Sequence, residues 1–369
     1  MKCCIECFKD REIRDRFKSF NEKGNCDFCG AHNKKVLDLD ARNSQEINDQ
    51  NLAIDFENLI EQFTNDSNTN FVNKRHMLSD YLEKHTSIFS DSVSSEKILQ
   101  FLKCLLPQQY NENPDIFDQP VIPAYLLNKD KLEREGIFYG KTWKDFKHDI
   151  QHNNRFHSTM VNDKILADFF EDCSIFLKDK KRLYRARISD DGEPLKSQNM
   201  WSAPFGSASS GRLNASGIGY LYLSEDIMVC LQEIKASVND ICTVATFEIE
   251  TDDLKVVDLG QISNISIFTT PSLSRYLMNY DVFQDIDSAM IETSQKNKSE
   301  IEFAPTEFMS DLIKSTGADG IMYKSTLDTS INDIVLFDGA ESTNSKIHQL
   351  DSEIKTYRIT KSSYEKDLL

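Results

Sequence analysis

Arg182-Leu183-Tyr184-Arg185-Ala186-Arg187 and Gly211-Arg212-Leu213-Asn214-Ala215-Ser216-Gly217-Ile218-Gly219-Tyr220-Leu221-Tyr222-Leu223-Ser224-Glu225-Asp226 are the stretches on which the fold turns. In the first, Arg185 sits in a strand whose apolar partners alternate with it. The second is a Gly/Ser-rich loop, Ser207 to Gly219, that runs into a Tyr/Leu strand. Working outward, Leu183–Arg187, Gly219–Leu223, Thr243–Glu250, Leu254–Leu259, Gly320–Tyr323 and Asp333–Phe337 read as strands. They are rich in Val, Ile, Tyr and Phe and mostly bounded by polar residues or glycine. Ser224 is placed to N-cap a helix over Glu225–Val238, with Ile227, Leu231, Ile234 and Val238 on one stripe. Thr306 is placed to cap a second helix through Thr316, with Gly317 as its stop. The expected unit is a mixed α/β or α+β domain over 179–340, followed by a polar tail or peripheral helix over 341–369.

Ahead of it the texture is helical. Leu52, Ile54, Phe56, Leu59, Ile60 and Phe63 recur near helical spacing, as do Ile98, Leu99, Phe101, Leu102, Leu105 and Leu106, stopped by Pro107. Ile165, Leu166, Phe169, Phe170 and Phe176 suggest a third helix, and Asn111–Pro123 reads as a loop. The segmentation is therefore multidomain: a cysteine-rich 1–40, a helical region 41–178, the α/β domain 179–340 and the tail 341–369. No internal repeat is present.

The chain has 369 residues, 39% hydrophobic and 28% charged, with a formal net charge of −17. That length suits two or three modules rather than one core. The acidic balance argues against a nucleic-acid interface, which needs concentrated positive surface. An anionic ligand would need a local basic pocket. No apolar run approaches the ~20 residues that span a bilayer, and Met1-Lys2-Cys3-Cys4 lacks the apolar core of a signal peptide. Nine cysteines in such a chain point to a reducing cytoplasm, where clustered thiols bind metal more often than they pair.

Cys4-Ile5-Glu6-Cys7 and Cys26-Asp27-Phe28-Cys29 are two CxxC pairs. Each turn can put two thiolates on one side of a metal, and two turns complete a tetrahedron. Free thiols or a redox pair are the plainer alternative. Zinc at Cys4, Cys7, Cys26 and Cys29 is the expectation, structural because four thiolates fill the coordination sphere. Cys3 in place of Cys4 stays open.

Arg185 is a natural pyrophosphate anchor, since guanidinium forks match phosphate oxygens; a solvated edge strand would also carry it. Arg212 and Asn214 lie in a loop whose backbone amides can approach an anion, although such loops are common connectors. Tyr222 faces away from Leu221 and Leu223 and can stack on a base or bond a ribose hydroxyl, or simply be a half-buried core tyrosine. Glu233 sits on a partly apolar helix face, where a carboxylate is costly to bury without a partner; an exposed helix glutamate is the alternative. Ser325, at a strand end, says little alone.

Taken together, these residues resemble the RES domain, a family named for an arginine, a glutamate and a serine. The matching pieces occur in order: Leu183-Tyr184-Arg185, Gly211-Arg212-Leu213-Asn214, Tyr222-Leu223, Glu233, Pro305-Thr306, Gly320-Ile321-Met322-Tyr323-Lys324-Ser325 and Val335-Leu336-Phe337. The resemblance covers about residues 180–340. Leu213 stands where the family usually has phenylalanine, and Lys324 where proline is frequent; both bear on pocket shape rather than polar chemistry. The helical region is similar, more loosely, to the HEPN-like segment ahead of some RES domains. HEPN ribonucleases separate their arginine from a histidine by several residues, whereas Arg75-His76 is adjacent and Arg155-Phe156-His157 too close. A regulatory or dimerising role is expected there instead.

The resemblance implies a fold similar to ADP-ribosyltransferases and a toxin that depletes NAD+ by cleaving the bond between nicotinamide and ribose, with water or phosphate as acceptor. It implies Glu233 for ribose orientation and charge stabilisation, Arg185 and Arg212 for the pyrophosphate or a phosphate acceptor, Tyr222 against nicotinamide or ribose, and Ser325 at the nicotinamide end, with Asn214 among the nucleotide-binding residues. It further implies a small antitoxin as partner, and a homo-oligomer is expected. Rival readings are an ADP-ribosyltransferase acting on a macromolecule and a non-catalytic nucleotide-sensing adaptor.

Overall fold

The computed structural model describes residues 1–40, 47–65, 71, 74–189, 191–291, 300–340 and 344–361. The chain divides into two compact units, Met1–Thr142 with Ser263–Gln284, and Trp143–Ile262 with Asp285–Leu369.

The first unit holds strand β1 (Lys2–Cys4), helix α1 (Arg11–Ser19), β2 (Lys23–Gly24), β3 (Lys34–Asp38), α2 (Ile47–Ile60), β4 (Phe63–Thr64), α3 (Leu78–Lys84), α4 (Ser95–Leu105), α5 (Pro107–Glu112), α6 (Asp115–Asp118), β5 (Ile122–Pro123) and α7 (Lys129–Glu135). Strands β1, β3 and β2 form a small antiparallel sheet. Asp10 caps α1 by accepting from the Ile13 amide, and α1 buries Ile13 and Phe17, one turn apart. Phe17 packs on Phe8, which also meets Phe89 and Phe101. This aromatic cluster ties the cysteine-rich start to the helices, so residues 1–40 are not a separate body. In α2, Leu52, Phe56, Leu59 and Ile60 are buried as their spacing requires, while Ile54 is 51% exposed. Phe63 lies beyond that helix in β4, paired with Pro123. The expected loop Asn111–Pro123 instead contains the end of α5, all of α6 and β5. Pro107 both ends one helix and begins the next, because its missing N–H is harmless at a first helical position.

The second unit contains α8 (Trp143–His152), α9 (Asp163–Asp172), β6 (Ser174–Leu177), β7 (Arg182–Ile188), β8 (Leu221–Ser224), α10 (Ile227–Glu233), β9 (Ile241–Ile249) and β10 (Leu254–Asp258). After α11 (Leu273–Ile291) come α12 (Glu300–Ser315), β11 (Gly320–Lys324), β12 (Asn332–Leu336), β13 (Ile347–Gln349) and β14 (Lys355–Arg358). One mixed sheet runs in the order β13-β9-β7-β8-β12-β11-β10-β6, with β14 also on β9. Only β10 and β11 are parallel neighbours among its described pairs. One core joins Leu183, Leu221, Leu223, Phe247, Ile334 and Leu336 with Met200 and Trp201. A second packs Ala186, Cys242 and Val244 against Cys230 and Leu231 of α10.

All six expected strands are present within one or two residues of their anticipated ends. The differences have local causes. Ser224 does not cap α10, because it still pairs with Asp333 in the sheet; Asp226 caps it, accepting from the Met228 and Val229 amides. The helix ends at Glu233, well short of Val238, and Lys235 and Asn239 adopt positive φ. Thr306 lies inside α12 rather than at its start, where its hydroxyl donates to the Arg212 carbonyl at 2.6 Å. Gly317 stops the helix as expected, at φ +86°. Phe176 belongs to β6 and is 56% exposed. Where a tail was expected, β13 and β14 cover the outer edge of β9. Their residues, Ile-His-Gln and Lys-Thr-Tyr-Arg, are too polar to announce themselves as strands.

Candidate functional site

Strands β7 and β8 share a single register pair, Tyr184 with Ser224, and then part. On the far side, β8 stays paired with β12. Where the β7–β8 ladder stops, the Arg185 guanidinium takes over and donates to the Tyr222 carbonyl at 3.2 Å. A cavity of about 180 Å³ lies at this split, lined by Arg185, Tyr222, Ser224, Cys230, Glu233, Tyr323 and Asp333, with Ala186, Leu223 and Ile234.

The register explains the gathering. Tyr184 opposes Ser224, Ser224 opposes Asp333, and Asp333 opposes Tyr323, a row across four strands. Directly opposed residues share a face, as do residues two apart on one strand. Tyr222 therefore lies on the face of Ser224, Asp333 and Tyr323, and Ser325, just past the end of β11, hydrogen-bonds to Asp333. Helix α10, docked there, delivers Glu233 from its last turn.

Arg185 is half-buried, and its Nε has no hydrogen-bond partner. Burial, with Arg187 close by, pulls its pKa down to about 10, so it stays cationic at neutral pH. The Tyr222 hydroxyl donates to Asn214 Oδ1 at 2.7 Å and accepts weakly from the Leu213 amide; burial holds its pKa above the usual tyrosine value. Gly211 makes this bond feasible: a Cβ there would sit 2.6 Å from Asn214 Oδ1 and 3.0 Å from the Tyr222 hydroxyl. Tyr323 is buried and lies under Arg212, whose guanidinium carbon is 5.7 Å from the ring centroid. The Arg212 guanidinium also donates to the Met290 carbonyl. Glu233 is exposed at the cavity and accepts from the Thr326 hydroxyl at 3.4 Å.

Of the residues expected from the sequence, Arg185, Tyr222 and Glu233 line one cavity, and Arg212 stands against its Tyr323 wall. Ser325 is fully buried beside Asp333 and outside the lining. Asn214 is held within its own loop: its amide nitrogen donates to the carbonyls of Ser209, Ala215 and Ile218, and its oxygen accepts from Tyr222. The Arg212 loop is pinned again by Ser210, which donates to Glu307 of α12 at 3.1 Å.

Asp333 was not anticipated. It is 6% exposed, its Oδ1 has no hydrogen-bond partner, and burial pushes its pKa up to about 6. Glu233 pushes in the same direction, and hydrogen bonds from Ser224 and Ser325 pull against it. The one hint in the sequence was a carboxylate at the head of the apolar run Ile334-Val335-Leu336-Phe337. Recognising it required the strand register.

In the first unit, the sulfurs of Cys4, Cys7, Cys26 and Cys29 all lie within 4.8 Å of one another. Cys4 and Cys29 are 3.4 Å apart, and Cys7 and Cys26 3.3 Å. A tetrahedral zinc with bonds of about 2.3 Å sets its sulfurs roughly 3.8 Å apart, so the donor set fits a metal ion of that kind. Gly30, at φ +75°, completes the second turn. Cys3, buried next to Cys4, lies outside the four-thiol group. Among the described residues no helix is long and apolar enough to cross a membrane.

On this α/β domain a mixed sheet opens around a half-buried arginine, a tyrosine and two acids that line one cavity. Residues 182–359 match the RES domain family, and this part of the chain is a RES domain. The match starts at the first residue of β7 and runs past β14, so it includes the two strands in the expected tail. Among solved structures, the crystal structure of the M. tuberculosis MbcT–MbcA toxin–antitoxin complex is similar, at 12% identity and a TM-score of 0.31, over 53% of this chain and 92% of that one. No curated protein matches the chain.

Proposed function

We propose that the RES domain binds NAD+ and cleaves the bond between nicotinamide and ribose, and that the chain acts as a toxin held in check by an antitoxin. The observation that carries this reading is the convergence of Arg185, Tyr222 and Glu233, far apart in sequence, on one cavity of a RES domain. At about 180 Å³, that cavity is below the roughly 300–1,000 Å³ of sites that enclose a whole drug-sized ligand. It suits one end of a dinucleotide.

Departure of nicotinamide takes the bonding electron pair and leaves positive charge on the ribose. Glu233 stabilises that charge by its field and orients a ribose hydroxyl. Arg185 and Arg212 hold phosphate oxygens, Tyr222 packs on the ribose or the nicotinamide ring, and Ser325 supports the polar groups at that end. Water as acceptor forms the new bond at C1′ and yields ADP-ribose, nicotinamide and a proton. The chemistry needs no covalent enzyme intermediate. In the first unit, zinc at Cys4, Cys7, Cys26 and Cys29 acts structurally, and the helical region serves regulation or self-association.

The test is product analysis by mass spectrometry after incubation with NAD+, with and without phosphate, alongside Glu233→Gln. The reading predicts free ADP-ribose or its phosphorylated form, and a loss of turnover by two orders of magnitude or more in Glu233→Gln with NAD+ affinity kept. ADP-ribose attached to a protein would assign a transferase instead, and full activity in Glu233→Gln would remove the mechanism.

A further inference from the structure

Asp333 stands in the middle of the site row, opposite Ser224 on one side and Tyr323 on the other. It lines the same cavity as Arg185, Tyr222 and Glu233. Buried carboxylates normally satisfy both oxygens, yet Asp333 Oδ1 has no partner, and Arg185 Nε across the cavity lining is equally bare. A folded domain keeps an under-satisfied acid at a cost in stability, and such groups gather at functional sites.

We propose that Asp333 is a further functional residue of this cavity, a second acid beside Glu233 whose ionised form stabilises the positive charge that grows on the ribose as nicotinamide departs. The inference rests on the reading of the cavity as an NAD+ site. The groups facing Asp333 are Glu233 and Cys230 from α10, Arg212 from the glycine-rich loop, Tyr323 from β11, Tyr222 from β8 and Arg185 from β7. Glu233 opposes its ionisation and Arg212 favours it; burial outweighs both and leaves the carboxyl at about 6. Near neutral pH Asp333 is then charged and contributes. Below about 6 it takes up a proton, and its share of the stabilisation disappears.

The experiment compares kcat/KM for NAD+ in the wild-type chain and in Asp333→Asn from pH 5 to 8. The Asn variant keeps the shape and cannot ionise. Wild type should exceed it tenfold or more at pH 7.5, and the ratio should fall by about fivefold or more at pH 5. A role confined to folding would give a ratio independent of pH. Thermal midpoints provide the control: the folded state holds this carboxyl above its ordinary value, so its ionisation disfavours folding as pH rises from about 4 to 6. Asp333→Asn should therefore be at least as stable as wild type at pH 7.5. A constant ratio while wild type consumes NAD+ overturns this inference and leaves the reading of the site standing. A wild-type chain that leaves NAD+ intact overturns both. Wild-type kcat/KM that stays flat from pH 5 to 8 overturns the inference by itself, even if the variant fails to fold.

Discussion

Arg185 does two jobs with one side chain. It closes the broken ladder by donating to the Tyr222 carbonyl, and it is one of the residues that line the cavity. A half-buried guanidinium in that position is partly desolvated in advance, so a ligand oxygen that reaches its open side gains a strong charge-assisted bond. Arg185→Ala is expected to weaken NAD+ binding at least tenfold, measured by calorimetry. Lost turnover with unchanged affinity would contradict this role. Arg185, Tyr222 and Glu233, which line one cavity, were legible as candidates because the order of short motifs singled them out. Asp333 was not, since nothing in Ile331-Asn332-Asp333-Ile334 reveals which residue lies opposite Tyr323. Asn214 was legible as a member of the loop motif, but its partners, three backbone carbonyls and one tyrosine, are properties of the folded loop.

Helix α10 is the element that carries Glu233 to the cavity, and it is short, so its start matters. Asp226 supplies the acceptor for two of its otherwise unpaired amides. Asp226→Ala is expected to cost about 1 kcal/mol, seen as a lower thermal midpoint, and to reduce turnover by loosening Glu233; an unchanged midpoint would show that the cap contributes nothing. The six central strands were readable because a β-branched and aromatic run with polar ends describes a strand buried in a sheet. Strands β13 and β14 were not, because they cover the edge of β9 through backbone hydrogen bonds and demand little of their side chains. The start of α10 was misplaced for a related reason: Ser224 and Asp226 are equally good caps by residue type, and only the pairing of Ser224 with Asp333 decides between them.

At the scale of the molecule, the RES match accounts for residues 182–359, while the first unit carries the four-thiol cluster on a three-stranded sheet backed by phenylalanines. Two CxxC turns made that cluster readable, whereas the return of Ser263–Gln284 to the first unit had no signal in composition or period. Such a small sheet has little core of its own, and a structural metal is the usual remedy. The purified chain is expected to hold close to one zinc by elemental analysis. Removal by a strong chelator, or Cys26→Ser, should lower the stability of the first unit, read by amide hydrogen exchange there. A chain that contains no zinc and takes up none when it is supplied would contradict the assignment.

The central claim is that the cavity where β7 and β8 part is a site of NAD+ cleavage. The most direct measurement is nicotinamide release from NAD+ by the purified full chain, followed by chromatography over time. The account predicts one nicotinamide released for each NAD+ lost, by wild type and far more slowly by Glu233→Gln. NAD+ recovered unchanged after prolonged incubation with folded wild-type protein would contradict it.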